Sequence, residues 1–263
     1  MYVAMSRVRT LSGLYLTGAF NKKAITADKR AFAEYERLHK ESVLPPPISL
    51  IPSTASSLTI CLLNTRSLQL HASDIACVNE ITESDVVCFT ETQLLPNHDT
   101  TDICNTLDFS LCFSNADNRF QSIAYGVKDF DFLRYCDSYP GFLLIGIVKD
   151  TFCEDEIDIG LLYRLHSQPI GDFYDQLHSL VNSHNIHILL GDFNVDYFAA
   201  KDILKEVLLD YTMVVHEPTH IDGSLLDHIY IRNDWLSDYE VASIVKCVFF
   251  SDHDVIKIKV NTN

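Results

Sequence analysis

The stretch Ile186-His187-Ile188-Leu189-Leu190-Gly191-Asp192-Phe193-Asn194 decides how the chain is read. An apolar, β-branched and leucine run that stops at a glycine predicts a buried strand entering a loop. Side chains alternate along a strand, so Asp192 and Asn194 leave one face and Phe193 the other. A carboxylate beside an amide at the lip of a sheet suits a site where one group takes a proton or holds a water and the other fixes its direction. The same residue types also cluster in turns after strands, where they bond their own backbone. The rest of the chain decides between the two readings.

Downstream, Tyr211-Thr-Met-Val-Val215 is β-like, and Leu225-Leu226-Asp227-His228-Ile229-Tyr230 sets a carboxylate inside an apolar run, where it needs a partner. Upstream, short apolar runs separated by polar turns begin at Leu58. Strands are expected over 58–63, 85–90, 109–114, 120–127, 142–149, 157–163, 186–191, 211–216, 226–232, 243–250 and 255–260, and helices near 68–82, 170–184 and 200–209. Many strands with few helices, over about two hundred residues, predict two packed sheets flanked by helices. No internal repeat is visible.

Polar residues recur at the ends of these strands: Asn64, Glu91, Tyr163-Arg164, Asp192 with Asn194, Asp227, and Asp252-His253. If two sheets stack, these ends converge at one edge. A site there would hold a hard cation with Glu91, Asp252 and the Asn64 amide. Asp192 would activate water, and His253 would meet a phosphate while Asp227 orients its ring. Each residue has a plainer alternative: Asn64 as a strand end, Glu91 as a solvated loop glutamate, His253 as a surface turn residue and Tyr163 as a core phenol with its hydroxyl at the rim.

The chain has 263 residues, 47% hydrophobic and 21% charged, as in a globular protein. Its formal charge of −16 argues against a broad basic face for nucleic acid. It leaves room for a nuclease, because a bound cation offsets carboxylates locally. Residues 1–43 hold eight Lys/Arg against four Asp/Glu, +4, so the remainder carries −20. A sign change of that size marks two segments of different origin. Leu44-Pro45-Pro46-Pro47, followed by Pro52 and several serines, makes a stiff connector over 44–57.

Eight cysteines are scattered without a C-x-x-C pair, and several lie in apolar runs such as Thr59-Ile60-Cys61-Leu62. They read as small buried hydrophobes in a reducing compartment. No signal-peptide core or membrane-length run is present, so a soluble intracellular protein is expected.

His216-Glu217-Pro218-Thr219-His220 spells H-E-x-x-H, the zinc-protease signature. That chemistry needs both histidines on one helical face, and Pro218 opposes a helix. The segment reads better as a connector before an Asp222-Gly223 turn. His178, His184 and His187 match no standard metal spacing.

The order of the strand-end blocks carries a resemblance. Leu-Leu-Asn64-Thr-Arg-Ser-Leu, Phe-Thr-Glu91-Thr-Gln-Leu, Tyr163-Arg164, Gly191-Asp-Phe-Asn194, Ser224-Leu-Leu-Asp227-His-Ile-Tyr and Ser251-Asp-His253 resemble the endonuclease/exonuclease/phosphatase superfamily. The likeness is greatest to the apurinic-type endonuclease domains of non-LTR retrotransposons, and it spans residues 58–263. It implies a four-layer α/β sandwich and Mg²⁺-dependent hydrolysis of a DNA phosphodiester, with Mn²⁺ as a substitute. It assigns Glu91 to the metal with Asn64 nearby and Asp252 in support. Asp192 goes to water activation, and Asn194, His253, Tyr163 and Arg164 to the phosphate, with Asp227 paired to His253. A phosphatase of a small or lipid phosphate, or an inactive DNA-binding relic, are the other readings of the same fold. Relatives carry a glycine-rich stretch where this chain has Asn118 to Ala124, and prolines where it has Leu165-His166. These departures fall in DNA-facing loops, away from the hydrolytic core.

Tyr2-Val-Ala-Met-Ser-Arg7-Val-Arg9 with Gly13-Leu-Tyr-Leu16 resembles the last conserved motif of the accessory DNA helicases of rolling-circle transposons. The resemblance implies that Arg7 corresponds to an arginine that senses the ATP γ-phosphate. The chain has no G-x-x-x-x-G-K-[ST] loop to cradle phosphates. Residues 1–43 therefore read as a helicase tail whose body is encoded upstream or supplied in trans, an arrangement similar to the transposons called Helentrons. A nuclear location is expected on the same basis.

Overall fold

The computed structural model describes residues 57–95, 97–114, 122–128, 134–139, 141–149 and 152–262. The helicase-like segment with Arg7, nearly all of the connector and Asn118 to Gln121 lie outside the described residues.

Strand β1 (Ser57–Asn64) alternates its side chains. Leu58, Ile60 and Leu62 enter the core that also holds Tyr125 and Phe142, while Cys61 and Leu63 pack with the helical residues Leu68, Ala72 and Ile75. That period-two split is what a strand buried on both faces requires. The chain then runs through α1 (Leu68–Ile75) and α2 (Asn79–Thr82) into β2 (Val86–Thr90), which lies parallel to β1. After α3 (Thr101–Leu107) come β3 (Ser110–Phe113) and β4 (Ala124–Val127); β4 adds antiparallel to the free side of β2, and β3 antiparallel to β4 at the edge.

The second sheet begins with β5 (Arg134–Tyr139), β6 (Phe142–Lys149) and β7 (Cys153–Tyr163), successive antiparallel neighbours. Helix α4 (Ile170–Ser183) carries the chain to β8 (Ile188–Asp192), parallel to β7. Helix α5 (Tyr197–Val207), β9 (Tyr211–Met213) and β10 (Asp227–Arg232) complete that sheet. Helix α6 (Asn233–Leu236) leads back to β11 (Tyr239–Lys246) and β12 (Val255–Thr262), which close the first sheet beside β1.

The two sheets, ordered β11-β12-β1-β2-β4-β3 and β5-β6-β7-β8-β10-β9, are wired alike. Each places one parallel pair at its centre, with an antiparallel pair on either side. Amphipathic helices α4 and α5 bury Phe173, Leu177, Leu180 and Leu204 against the second sheet. The architecture is therefore the expected α/β sandwich of two mixed sheets flanked by helices. Tyr125 of β4 reaches across it, its hydroxyl 3.1 Å from the Leu143 carbonyl and 2.8 Å from that of Ile159.

Several boundaries differ from the sequence reading. The expected helix 68–82 breaks into α1 and α2 around Ala76 to Val78, and α5 starts at Tyr197 rather than 200. The strand expected over 243–250 runs from Tyr239 to Lys246, because it is an edge strand whose side chains are mostly half-buried or exposed. The apolar Val248-Phe249-Phe250 that suggested a strand instead leaves the sheet, with Val248 and Phe250 packed beside α1 residues. Strand β5 and helix α3 are absent from the sequence reading. Helix α3 buries only Ile103 and Leu107, too few to form an apolar run.

Gly191 sits in β8 at φ 149, where an added Cβ would run into the Leu162 carbonyl oxygen of β7. The parallel pair can close here only around a glycine. Gly191→Ala is expected to destabilise the protein by about 3 kcal/mol, through strain and displacement of the ladder. Urea unfolding checks this, and an unchanged midpoint would contradict the β7–β8 register.

Candidate active site

Both central parallel pairs end at the same edge of the sandwich. Asn64 is the register partner of Thr90, and Tyr163 that of Asp192. The residue after Thr90 is Glu91. Two strand ends in each sheet thus deliver four polar groups to one place. The Asn64 Nδ2 donates to Glu91 Oε1 at 3.0 Å and to Asp192 Oδ2 at 2.9 Å, bridging an acid from each sheet. Its Oδ1 accepts the Arg66 N–H at 3.1 Å. The Tyr163 hydroxyl donates to the same Glu91 oxygen at 3.0 Å. Burial, then the charges of Glu91 and Asp192, push that phenol far above its ordinary range.

Strand β10 brings Asp227 opposite Asp192. Asp227 and His253 form a buried pair, with His253 Nδ1 2.7 Å from Asp227 Oδ2. His253 Nε2 lies 3.5 Å from Asn64 Nδ2 and 3.9 Å from Asp192 Oδ2. Burial disfavours a charged imidazole, but the charge and hydrogen bond of Asp227, with Asp192 and Asp252, outweigh it and raise the His253 pKa to about 10. That pairing favours the imidazolium form, held through Nδ1–H, with Nε2 on the side facing Asp192. The Asp192 carboxyl is raised as well, first by complete burial and then by Asp227. A raised carboxyl is a stronger proton acceptor than an exposed aspartate.

Ser251 Oγ donates to the Asn64 carbonyl at 2.8 Å and accepts the His253 N–H at 3.1 Å, fixing the histidine loop to the end of β1. Thr219 Oγ1 accepts the N–H groups of Leu226 and Asp227 at 3.1 and 3.0 Å. Thr219 belongs to the H-E-x-x-H stretch, which bends at Glu217, bridges by way of His220 to His253, and carries no helix. The zinc-protease geometry is absent, as Pro218 predicts.

Not every expected residue faces the same point. Asn194 clamps Asp192, its N–H donating to Oδ1 at 2.9 Å, but its side-chain amide donates to the Arg164 carbonyl at 2.6 Å. Arg164 is buried and returns the contact, donating to the Asn194 carbonyl at 3.0 Å and to the Gln168 carbonyl at 2.7 Å. The two residues thus grip each other. Asp252 Oδ2 takes the Arg66 guanidinium at 2.6 Å and lies 3.6 Å from His220 Nε2. Sequence reasoning missed Thr219, His220, and Arg66 as the Asp252 partner; Thr219 and His220 lie inside the rejected signature, which was the available signal.

Backbone strain gathers here. Of the five non-glycine residues with positive φ among those described, Arg66, Glu91, Gln93 and Asn194 border this edge, at φ 51, 48, 57 and 48. Such conformations persist where surrounding structure holds them, and they concentrate at functional sites.

Asp192, Asp227 and His253 offer ligand atoms within 4.8 Å of one another, as do His220, Asp252 and His253. One oxygen each of Asp227 and Asp252 is buried without a hydrogen-bond partner among the described residues. Surplus carboxylates with unengaged oxygens fit a hard divalent cation such as Mg²⁺ or Mn²⁺. Among the described residues, no helix is long and apolar enough to cross a membrane.

No family model and no curated protein matches the chain. Solved structures do. The endonuclease domain of TRAS1, a telomere-specific non-LTR retrotransposon, superposes with a TM-score of 0.62 at 17% identity, covering 78% of this chain and 99% of that one. An AP endonuclease from Archaeoglobus fulgidus gives a TM-score of 0.61 at 13% identity, over 76% of this chain and 98% of its own. The 3′ phosphatase NExo from Neisseria, bound to a product DNA hairpin, gives 0.59 at 13% identity, over 78% and 99%. At these identities the likeness shows the fold alone: this chain has the same α/β sandwich of two mixed sheets as these enzymes.

The His253 assignment has a measurable consequence. Its folded pKa is raised above the ordinary imidazole value, so its contribution to stability is fully present below about pH 6.5 and is lost as pH rises through about 10. Imidazole resonances of His253, followed by NMR in chelator, are expected to stay in the charged form through neutral pH. In Asp227→Asn the midpoint should fall by several pH values. A His253 midpoint near 6.5 in the unmodified protein would contradict the assignment.

Proposed function

We propose that residues 58–263 form a divalent-metal-dependent phosphodiesterase that cleaves DNA. The observation that carries this reading is the single amide of Asn64 holding Glu91 and Asp192 together beside the charged His253–Asp227 pair. A buried acid, a buried imidazolium and surplus carboxylates at one edge suit hydrolysis of an anionic ester. The fold shared with nucleases supports the substrate class.

Glu91 would hold the cation, its Oε1 fixed by Asn64 and Tyr163, with Asp252 supporting from the histidine loop. When bound, Mg²⁺ supplies polarisation of the phosphate and stabilisation of the charge that develops on its oxygens. Asp192 takes the proton of the attacking water at Oδ2, while the Asn194 N–H keeps the carboxylate aimed through Oδ1. His253 donates from Nε2–H to a phosphate oxygen, its ring fixed by Asp227. Tyr163 supports Glu91 and borders the phosphate. Arg164, spent on two carbonyls, positions Asn194, whose own proposed phosphate contact requires its amide to leave the Arg164 carbonyl.

The domain would act as part of a mobile-element protein in the nucleus, coupled to a helicase body encoded upstream or supplied in trans. Support comes from the helicase-like residues 2–16 and from the retrotransposon endonuclease among the similar structures. The same fold also serves a 3′ phosphatase, so a phosphomonoester is the competing substrate.

Asp192→Ala and Glu91→Ala are each expected to reduce Mg²⁺-dependent nicking of supercoiled plasmid by about 10³-fold. Full activity in both variants overturns the assignment. Turnover of a synthetic phosphomonoester, with an abasic duplex left intact, would replace the nuclease by a phosphatase. DNA affinity without Mg²⁺ binding or turnover would mark an inactive binding relic.

A further inference from the structure

The loop entering the proposed site reads Cys247-Val248-Phe249-Phe250-Ser251-Asp252-His253. Val248 is buried, and Phe250 stacks on His71 of α1, with ring centroids 5.4 Å apart and 25° between planes. Phe249, between them, turns outward and is 83% exposed. Its ring stands at 90° to that of Phe250, with centroids 5.3 Å apart, and most of its surface is open to solvent. Only one residue, Phe250, separates it from Ser251, whose hydroxyl donates to the Asn64 backbone carbonyl. That spacing keeps the two Cα atoms within about 7 Å.

Two more apolar side chains border the same edge. Ile221 is 82% exposed, and its N–H donates to the Asp252 carbonyl at 2.9 Å. Leu70 is 69% exposed and precedes His71 on α1. Single exposed hydrophobics are ordinary, but here three flank one site, and one of them presents an unstacked aromatic face.

The charges around the site are poorly suited to gripping a phosphate backbone. The whole chain carries −16, Arg164 is buried on carbonyls, and Arg66 is paired with Asp252. Counterion release, the usual source of DNA affinity, is therefore small. Stacking of a base on an aromatic ring needs no charge and works with any base. It requires a base whose face is free, which an intact duplex does not provide.

We infer that Phe249 is a stacking platform for an unpaired base next to the cleaved phosphate, and that the substrate is single-stranded or locally unpaired DNA. This rests on the phosphodiesterase reading and names the substrate class for it.

The test uses the full chain in EDTA, with a fluorescein-labelled single strand, the matching intact duplex, and strands carrying 2-aminopurine at successive positions. The single strand is expected to bind at least tenfold more tightly than the duplex and to quench 2-aminopurine at one position. Phe249→Ala should weaken single-strand binding about tenfold and abolish that quenching, while Phe249→Trp retains both. The slope of affinity against salt should stay the same across the three proteins. Equal affinity of Phe249→Ala and the unmodified protein, or quenching that survives the substitution, overturns the inference. Mg²⁺-dependent plasmid nicking is measured alongside. Nicking without a Phe249 effect removes the platform alone, and quenching at Phe249 without nicking upholds the platform and removes the hydrolytic reading.

Discussion

One side-chain amide holds the two halves of this site in register. Asparagine has two N–H donors on one nitrogen, and Asn64 spends them on Glu91 and Asp192. These acids belong to different sheets, and without a donor between them two carboxylates at that separation would repel and draw water into the edge. The amide satisfies one oxygen of each while leaving their charge intact. Because the Asn64 carbonyl also takes the Ser251 hydroxyl, the histidine loop is pinned to the same residue. Glu91, Asp192 and His253 therefore inherit their positions from the end of β1. The edge can be strongly charged and geometrically fixed at once, as preorganised catalysis requires.

The matching connectivity of the sheets explains why the polar groups meet. In each, the parallel pair lies at the centre and its two C-terminal ends open on the same side. Two such sheets face to face offer four strand ends at one edge, and the chain places Asn64, Glu91, Tyr163 and Asp192 there. Turning sharply out of these strands puts several residues at positive φ, each costing on the order of 1–3 kcal/mol. The cores beneath the loops offset that cost. Phe193, on the opposite face from Asp192, packs on Phe173 at 5.6 Å and on the buried His228 at 4.5 Å, so the loop is anchored where it is most strained. Burial, its largest influence, pushes His228 down to about 4, so it stays neutral at pH 7.

What was legible in the sequence follows from this arrangement. Central strands are buried on both faces and announce themselves as apolar runs, so β1, β2, β7 and β8 stand out, and with them the polar residues that terminate each run. Asp192 and Asp227 are visible for the same reason: a carboxylate at the end of a run, or inside one, needs an explanation. The edge strands were read unevenly: β3 and β9 were found, β5 was missed, and β11, whose side chains are mostly half-buried or exposed, was placed four residues late. Partnerships set by tertiary folding were also hidden. Nothing local says that Thr219 caps Asp227, that Arg66 meets Asp252, or that Arg164 turns inward to grip Asn194 instead of facing outward. The duplicated connectivity is invisible as well, because it is a property of strand pairing and the two halves share no residue pattern. Burial can be read along a chain; most long-range polar pairing cannot, the Asp227–His253 pair being the exception.

The acidic character of the chain fits this picture once charge is considered locally. The proposed anionic substrate, approaching Asp227, Glu91 and Asp252, would meet negative charge, offset by His253 at close range and by Arg66 from the rim. That imbalance is unfavourable for binding a phosphate unaided, and it is the condition under which a divalent cation binds well. Under the proposed function the cation would add positive charge at the phosphate, beside that of His253 and Arg66. A protein built this way gains little from long-range electrostatic steering or from sliding along duplex DNA. Discrimination must come from contacts within a few residues of the edge. The exposed apolar side chains beside the histidine loop are the groups placed to make them.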